Sequence, residues 1–404
     1  MTRTNIVGAL SGERLRASLG QSFLSLSFGV GGLLTGAILV LYLGVFSVSE
    51  APWGILLYPG ILSIRGAVGG LFSGHLGTGL HLGTVKASFR GNSRDFGLLW
   101  RAVVVLSFVS GVSVGFGSWV FGLFLWHAGA VDFVQILAVI VGTMGLSVVF
   151  VSPLTMGFSV FSFRRGLDPD IIVYPMTSTL SDIINTVCYV VSFSLFFMVK
   201  PFGCYVVWFL DAVFAGFVVY ILVRNLRETK FASIIKEFLL TIMFVTVIVN
   251  VTGSFLTKIN GKMIYAVYPA IITTVGGVGS IIGSTATTKL ALGLIKPSLG
   301  SLKEHVNEVG GAWLASVLMF VVYAVVSLFT GGASGLGELG LFLGQLLVTN
   351  FLAVVVMIFV AFGVAILTFR HGWNPDNFVI PIESSLADTI TTAAVLIVLL
   401  LTIT

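Results

Sequence analysis

The sequence predicts an all-α polytopic membrane protein of about eleven transmembrane helices, arranged as two parallel five-helix repeats joined by a linker transmembrane helix. Three observations lead there: a scarcity of charge, a succession of long apolar runs and an internal duplication. Only 9% of the 404 residues are charged and 57% are hydrophobic, against roughly 25% charged in an ordinary soluble domain. A soluble enzyme is excluded, and most of the chain lies in lipid. A β-barrel is excluded as well, because barrel strands read as short alternating segments rather than continuous apolar runs. The 48 glycines against 10 prolines suit helices whose backbones approach closely inside a membrane.

The apolar runs fall near 23–47, 54–85, 98–126, 133–163, 171–199, 202–223, 236–257, 264–295, 310–330, 339–369 and 377–403. Each is long enough for a hydrocarbon core of about 30 Å. Residues 1–22 carry basic side chains and dispersed apolar positions, Ile6, Val7, Leu10, Leu15 and Leu19. They lack the continuous core of a cleavable signal peptide and read as a cytoplasmic or interfacial helix. With that helix inside, 17 of the 21 Lys and Arg residues fall on its side of the membrane. Lys200, Lys258 and Lys262 fall opposite, and Arg65 lies within the second run. The positive-inside rule then gives a multi-pass protein of the cell membrane with a cytoplasmic N-terminus and an outside C-terminus. Cys188 and Cys204 offer neither a disulfide framework nor a thiol cluster for a soft metal.

The duplication is visible without gaps. Residues 58–86, YPGILSIRGAVGGLFSGHLGTGLHLGTVK, align with 268–296, YPAIITTVGGVGSIIGSTATTKLALGLIK, with 11 identities in 29 positions. Residues 163–186, FRRGLDPDIIVYPMTSTLSDIINT, align with 369–392, FRHGWNPDNFVIPIESSLADTITT, with 12 identities in 24. Each copy has five crossings, so direct fusion would invert the second. The run at 202–223 supplies a sixth crossing and keeps the copies parallel. The organisation is thus an N-terminal segment 1–22, a first repeat 23–200, a linker helix 201–230 and a second repeat 231–404. A pseudo-two-fold axis along the membrane normal makes the repeat interface the expected place for a ligand, contributed twice by equivalent residues.

Four acids lie deep in the apolar runs: Asp182, Asp211, Glu383 and Asp388. An ionisable group at the bilayer centre costs on the order of 3 kcal/mol, so each calls for a partner or a function. Asp182 and Asp388 are repeat equivalents, whereas Glu383 corresponds to Thr177 and Asp211 has no counterpart and reads as structural. Each paired aspartate follows another by twelve residues, Asp170 and Asp376, which is about 18 Å of helix. That spacing sets Asp182 and Asp388 near the midplane and Asp170 and Asp376 at the inner entrance, where acids after a proline also suit a helix N-terminus. Helical spacing adds Ser178, Asn185 and Thr186 to the face of Asp182, and Ser384, Thr391 and Thr392 to that of Asp388.

Two facing carboxylates would be balanced by a divalent cation or by protons. A sparse pair of acids lined with hydroxyls suits Mg²⁺, which keeps several waters, better than Ca²⁺, which takes six to eight oxygens. Gly66, Gly69, Gly276 and Gly279 are further pore-lining candidates. Small residues at four-residue spacing in the same segments, Gly66, Gly70 and Gly74 against Gly276, Ser280 and Ser284, also serve tight helix packing. Arg65, His75 and His81 have no ionisable counterpart in the second copy. The two histidines read as hydrogen-bonded interior groups, and Arg65 as the counter-charge of Asp211, Glu383 or Glu50.

The two duplicated patterns resemble the MgtE family of magnesium channels and, more closely, its duplicated solute-carrier-41 type, in which two membrane halves are fused. The resemblance rests on YPGILSIRGAVGGLFSGHLGTGLHLG and its copy, and on GLDPDIIVYPMTSTLSD with GWNPDNFVIPIESSLAD. Ala67 and His75 depart from the family, which often has Asn and Arg there. The resemblance implies that the aspartate closing the second pattern, here Asp182 and Asp388, binds Mg²⁺ as the transported ion. The cytoplasmic sensor and CBS domains of bacterial relatives have no room before the first crossing. The expected activity is passive transport of Mg²⁺, with Mn²⁺ or Co²⁺ as further substrates, by a functional monomer in the lipid bilayer with no nucleic-acid partner and no enzymatic reaction. The alternative is an exchanger coupled to Na⁺ or H⁺. A remote third reading, an intramembrane aspartyl protease, meets two repeats of one pattern where a protease needs two carboxyl groups in unequal roles.

Overall fold

The computed structural model describes residues 3–42, 44, 51–81, 83–88, 91–165, 169–199, 201–259, 262–291, 293–329, 336–372 and 379–403. Among them the protein is 89% helical, with no strand. Helix α1 (Arg3–Ser27) passes through a 3₁₀ turn, Phe28–Val30, into α2 (Gly31–Leu41). There follow α3 (Leu57–His81), α4 (Arg94–Leu125), α5 (Ala130–Arg164) and α6 (Pro169–Met198). After these come α7 (Phe202–Asn225), α8 (Thr229–Leu256), α9 (Lys262–Ala291), α10 (Val306–Phe329), α11 (Leu336–Arg370) and α12 (Val379–Ile403). Among the described residues ten stretches are long and apolar enough to cross a membrane, the first being Leu15–Leu41. Helix α3 is the further long helix, its hydropathy lowered by Arg65, His75 and its glycines. The fold is that of an all-α polytopic membrane protein.

Local chemistry explains the ends of these helices. Ser93 caps α4 by accepting from the Phe96 N–H at 3.2 Å, with Asp95 in the first turn, where a negative charge complements the helix dipole. Helices α3 and α9 both end on a glycine with positive φ, Gly83 at +72° and Gly293 at +68°, a conformation that glycine adopts without a Cβ penalty. The next turns also match: Ser88 N–H donates to the Lys86 carbonyl and Ser298 N–H to that of Lys296, both at 2.7 Å. The arginine of each FR pair then fastens this loop. Arg164 donates to the Ala87 carbonyl at 2.7 and 3.0 Å, and Arg370 to the Pro297 carbonyl at 2.8 Å. The sequence duplication is therefore repeated in the fastening of these two loops.

The described chain forms two compact units, one of residues 1–36 and 261–404, the other of residues 37–260. In the first, α1 packs along α10 and touches α9, whose neighbours are α10, α11 and α12. In the second, α8 packs on α3 and α4, while α5, α6 and the linker helix α7 complete the bundle. Helix α1, which precedes the first matched pattern, thus packs in the unit that holds residues 261–404, and α8, which precedes the second, packs in the unit that holds residues 37–260. Glycines make both placements tight. A Cβ on Gly36 would stand 1.8 Å from the Ala266 carbonyl oxygen, and one on Gly253 would stand 2.3 Å from that of Leu56. Ala266 and Leu56 occupy equivalent positions of the two repeats. Helix α7 shows its apolar side chains outward, with Phe209 68% and Val223 80% exposed, a surface that lipid covers at no cost.

Backbone cannot yield to a methyl group at these contacts. Gly36→Ala is expected to destabilise the protein by about 1–3 kcal/mol through overpacking, read as a lower unfolding temperature in detergent. Gly20→Ala, at a position with nothing within 4 Å of the added Cβ, is expected to leave it unchanged or raise it slightly.

Candidate functional site

The site residues of the first repeat sit on α6 against α3. Asp182, Asn185 and Thr186 are buried, at 2%, 0% and 0% exposure, and Ser178 is buried beside them. Tyr58 of α3, fully buried, holds the Thr186 hydroxyl at 3.2 Å. Thr186 in turn donates to the Asp182 carbonyl at 2.8 Å. Asn185 accepts a hydrogen bond from Ser147 of α5. Tyr189, one turn further, donates to the Gly54 carbonyl at 2.5 Å. These bonds fix the rotation of α6 against its neighbours, because each polar side chain buried in an apolar bundle has to find its partner there.

Within the other unit the second repeat builds the same arrangement from α9 and α12. Tyr268 meets the Thr392 hydroxyl at 2.8 Å, and Thr392 donates to the Asp388 carbonyl at 2.5 Å. Asp388, Thr391 and Thr392 are buried, and Ser384 is half-buried. Of the residues that helical spacing groups with the aspartates, Thr186 and Thr392 meet a tyrosine of the neighbouring helix and Asn185 meets Ser147 of α5.

The surroundings of the two aspartates differ. Arg65 of α3 donates from Nη2 to Asp182 Oδ1 at 2.5 Å, with the two side chains only 9% and 3% exposed. Position 275, which corresponds to Arg65 in the second repeat, is a fully buried valine. The sequence suggested Asp211, Glu383 or Glu50 as the counter-charge of Arg65, and the structure corrects this to Asp182. The reach of an arginine across one helix interface decided the pairing, which chain order does not encode. Glu50 lies outside the described residues. Asp211 on α7 is half-buried, and its Oδ1 has no hydrogen-bond partner among the described residues. Glu383 on α12 is 1% exposed, and neither carboxylate oxygen has such a partner there.

The remaining candidates divide. Gly66 is buried, Gly69 is half-buried with nothing within 4 Å of an added Cβ, and Gly276 approaches Ala387 of α12. Gly279 is packed against Met357 of α11, where a Cβ would meet the methyl carbon at 2.4 Å. His75 bonds its own helix through the Leu71 carbonyl at 3.0 Å, the interior role expected of it. The side chain of His81 lies outside the described residues. Asp170 stands in the first turn of α6 with its side chain outside the described set, and Asp376 lies outside it altogether.

The fold and these sites define a class: an internally duplicated α-helical membrane protein with the same buried aspartate in each copy. The MgtE family, described as divalent cation transporter, matches residues 58–192 and 268–398, together about two thirds of the chain, in two separate regions. The chain belongs to this family, in a duplicated form. No curated protein and no solved structure matches it.

Two stability tests follow from the hydrogen bonding. Tyr268→Phe removes the buried hydrogen bond to Thr392 and is expected to cost about 1 kcal/mol, measured by thermal unfolding in detergent. Glu383→Met exchanges a buried carboxyl for an apolar side chain of similar length and is expected to raise the unfolding temperature. A fall would reveal a partner for that carboxyl.

Proposed function

We propose that this member of the divalent cation transporter family carries Mg²⁺ across the cell membrane, with Mn²⁺ and Co²⁺ as further substrates. Asp182 and Asp388 bind the cation, which keeps part of its hydration shell. The observation that carries this reading is the duplication of one buried arrangement, an aspartate whose carbonyl accepts from a threonine that a tyrosine of the neighbouring helix holds, in a chain of this family. Burying a carboxylate in an apolar bundle is costly, and paying it twice at equivalent positions favours a use for the charge over a packing accident. Ser178, Asn185, Thr186, Ser384, Thr391 and Thr392 supply oxygen and amide groups of the kind a hard, hydrated cation accepts. Flux follows the electrochemical gradient of the cation. Each repeat contributes one aspartate, so one chain is the working unit, with its N-terminus on the cytoplasmic side under the positive-inside rule.

The test is Mg²⁺ uptake into proteoliposomes containing the full chain, Asp182→Asn or Asp388→Asn. At least tenfold slower uptake is expected for Asp388→Asn, with a clear loss for Asp182→Asn. Wild-type uptake in both variants would sink the proposed site. Flux that reverses when a Na⁺ or pH gradient is inverted, at fixed Mg²⁺ gradient, would replace passive transport by exchange.

A further inference from the structure

We propose that the end of the linker helix α7 and the start of α4 form a binding site for an anionic phospholipid. Arg101 and Arg224 hold its phosphate, and its acyl chains lie along the outward face of α7. Every group of the site belongs to the unit of residues 37–260, and none of them is a residue read above as a cation ligand.

The argument starts from charge balance. Residues 94–101 and 224–230 hold five basic side chains, Arg94, Arg101, Arg224, Arg227 and Lys230, and two acids, Asp95 and Glu228. Both acids are taken. Arg94 donates from Nη2 to Glu228 Oε1 at 2.5 Å, and Lys230 Nζ donates to Asp95 Oδ2 at 2.7 Å. Two of the remaining guanidiniums have neutral partners. Arg101 donates from Nη1 to Asn225 Oδ1 at 2.8 Å, and Asn225, itself buried, is anchored to the Ile221 carbonyl at 2.7 Å. Arg224 donates to the Tyr220 hydroxyl and lies over that ring, 5.7 Å from its centroid. Arg227 is exposed. Among the described residues no carboxylate meets Arg101, Arg224 or Arg227. A guanidinium does not shed its proton, so these permanent charges are left to an anion from outside the chain. The bonds to Asn225 and Tyr220 each use one nitrogen, and the rest of each fork suits the oxygens of a phosphate.

What adjoins the charges decides the occupant. Val213, Phe217, Tyr220 and Arg224 follow one another at helical spacing on one face of α7, and the first three are 55%, 43% and 53% exposed. Trp100 of α4 meets Phe217 edge-on, with ring centroids 6.5 Å apart, so α4 supplies a wall beside that face. An apolar stripe that ends in a guanidinium matches an anionic amphiphile, whereas a soluble anion would leave the stripe unused. Basic clusters where a transmembrane helix reaches the cytoplasmic leaflet recognise anionic lipid in this way. The bound lipid bridges α4 and α7, fastening the linker helix to the bundle of its own unit.

The test uses the full chain in a neutral detergent, titrated with phosphatidylglycerol and, separately, with phosphatidylcholine of the same acyl chains. Binding is counted by native mass spectrometry and protection is read by thermal unfolding. Saturable binding of phosphatidylglycerol with a raised unfolding temperature is expected, with phosphatidylcholine bound about tenfold more weakly. Equal binding of the two lipids by the wild-type chain, a measurement that needs no variant to fold, overturns the proposal. Arg101→Gln combined with Arg224→Gln keeps an amide donor at each position without its charge and is expected to abolish the preference. Lys303→Gln, which removes an exposed charge outside the site, is expected to keep it. An unchanged preference in the folded double variant, or an equal loss in Lys303→Gln, overturns the site. Inorganic phosphate that protects as well as phosphatidylglycerol at the same concentration would show a site for the anion alone and overturn the lipid as its occupant.

Discussion

A carboxylate inside a membrane bundle has no water to turn to, and much of this molecule's detail follows from that constraint. Desolvation costs several kcal/mol per buried ion, so an acid survives there through a counter-charge, through hydrogen bonds, or as a neutral acid. Asp182 is met by Arg65 across the interface between α3 and α6. The neighbouring backbone is tied by Tyr58 and Thr186, and that pair reappears as Tyr268 and Thr392. The tyrosine–threonine contact fixes helix rotation in each copy, and the acid's orientation follows from it.

The two copies show what duplication preserves and what it releases. Preserved are the glycine that follows α3 and α9, the arginine that fastens the next loop, and the tyrosine that meets a buried hydroxyl. Different in the two copies are Arg65 against Val275 and Glu383 against Thr177. In a dimer of identical chains any such change would appear on both sides. Fusion into one chain lets the copies diverge, and the charge around the aspartates is where divergence shows most.

Much of this was legible in the chain itself. Most apolar runs locate the helices to within several residues because length and hydropathy are local properties, but the first does not: α1 runs from Arg3 across the expected boundary at residue 22 and breaks at Phe28–Val30. The repeat pairs Asp182 with Asp388, and Asn185, Thr186, Thr391 and Thr392, about one turn further on, are buried as they are. The partner of Arg65 was not legible, since three acids were nearer to hand on other grounds and only the rotation of α3 against α6 chooses among four. The tyrosines at 58 and 268 were visible as repeat matches, yet nothing local says that they reach across to a threonine. Nor does composition distinguish Gly279, packed on Met357, from Gly69, which has open space beside it.

Helix α1 is synthesised first, yet the helices it packs against, α9 and α10, begin more than 250 residues later. Helix α8, which opens the second repeat, finds its partners α3 and α4 already made. The first unit therefore cannot close until nearly the whole chain has left the ribosome, whereas residues 37–260 are consecutive and complete their bundle earlier. Assembly in the membrane is thus obliged to hold α1 and α2 in lipid with the glycines of α2 at Gly32 and Gly36 uncovered. A chain truncated after the linker helix would strand those glycines, leaving them open to any neighbour that meets them.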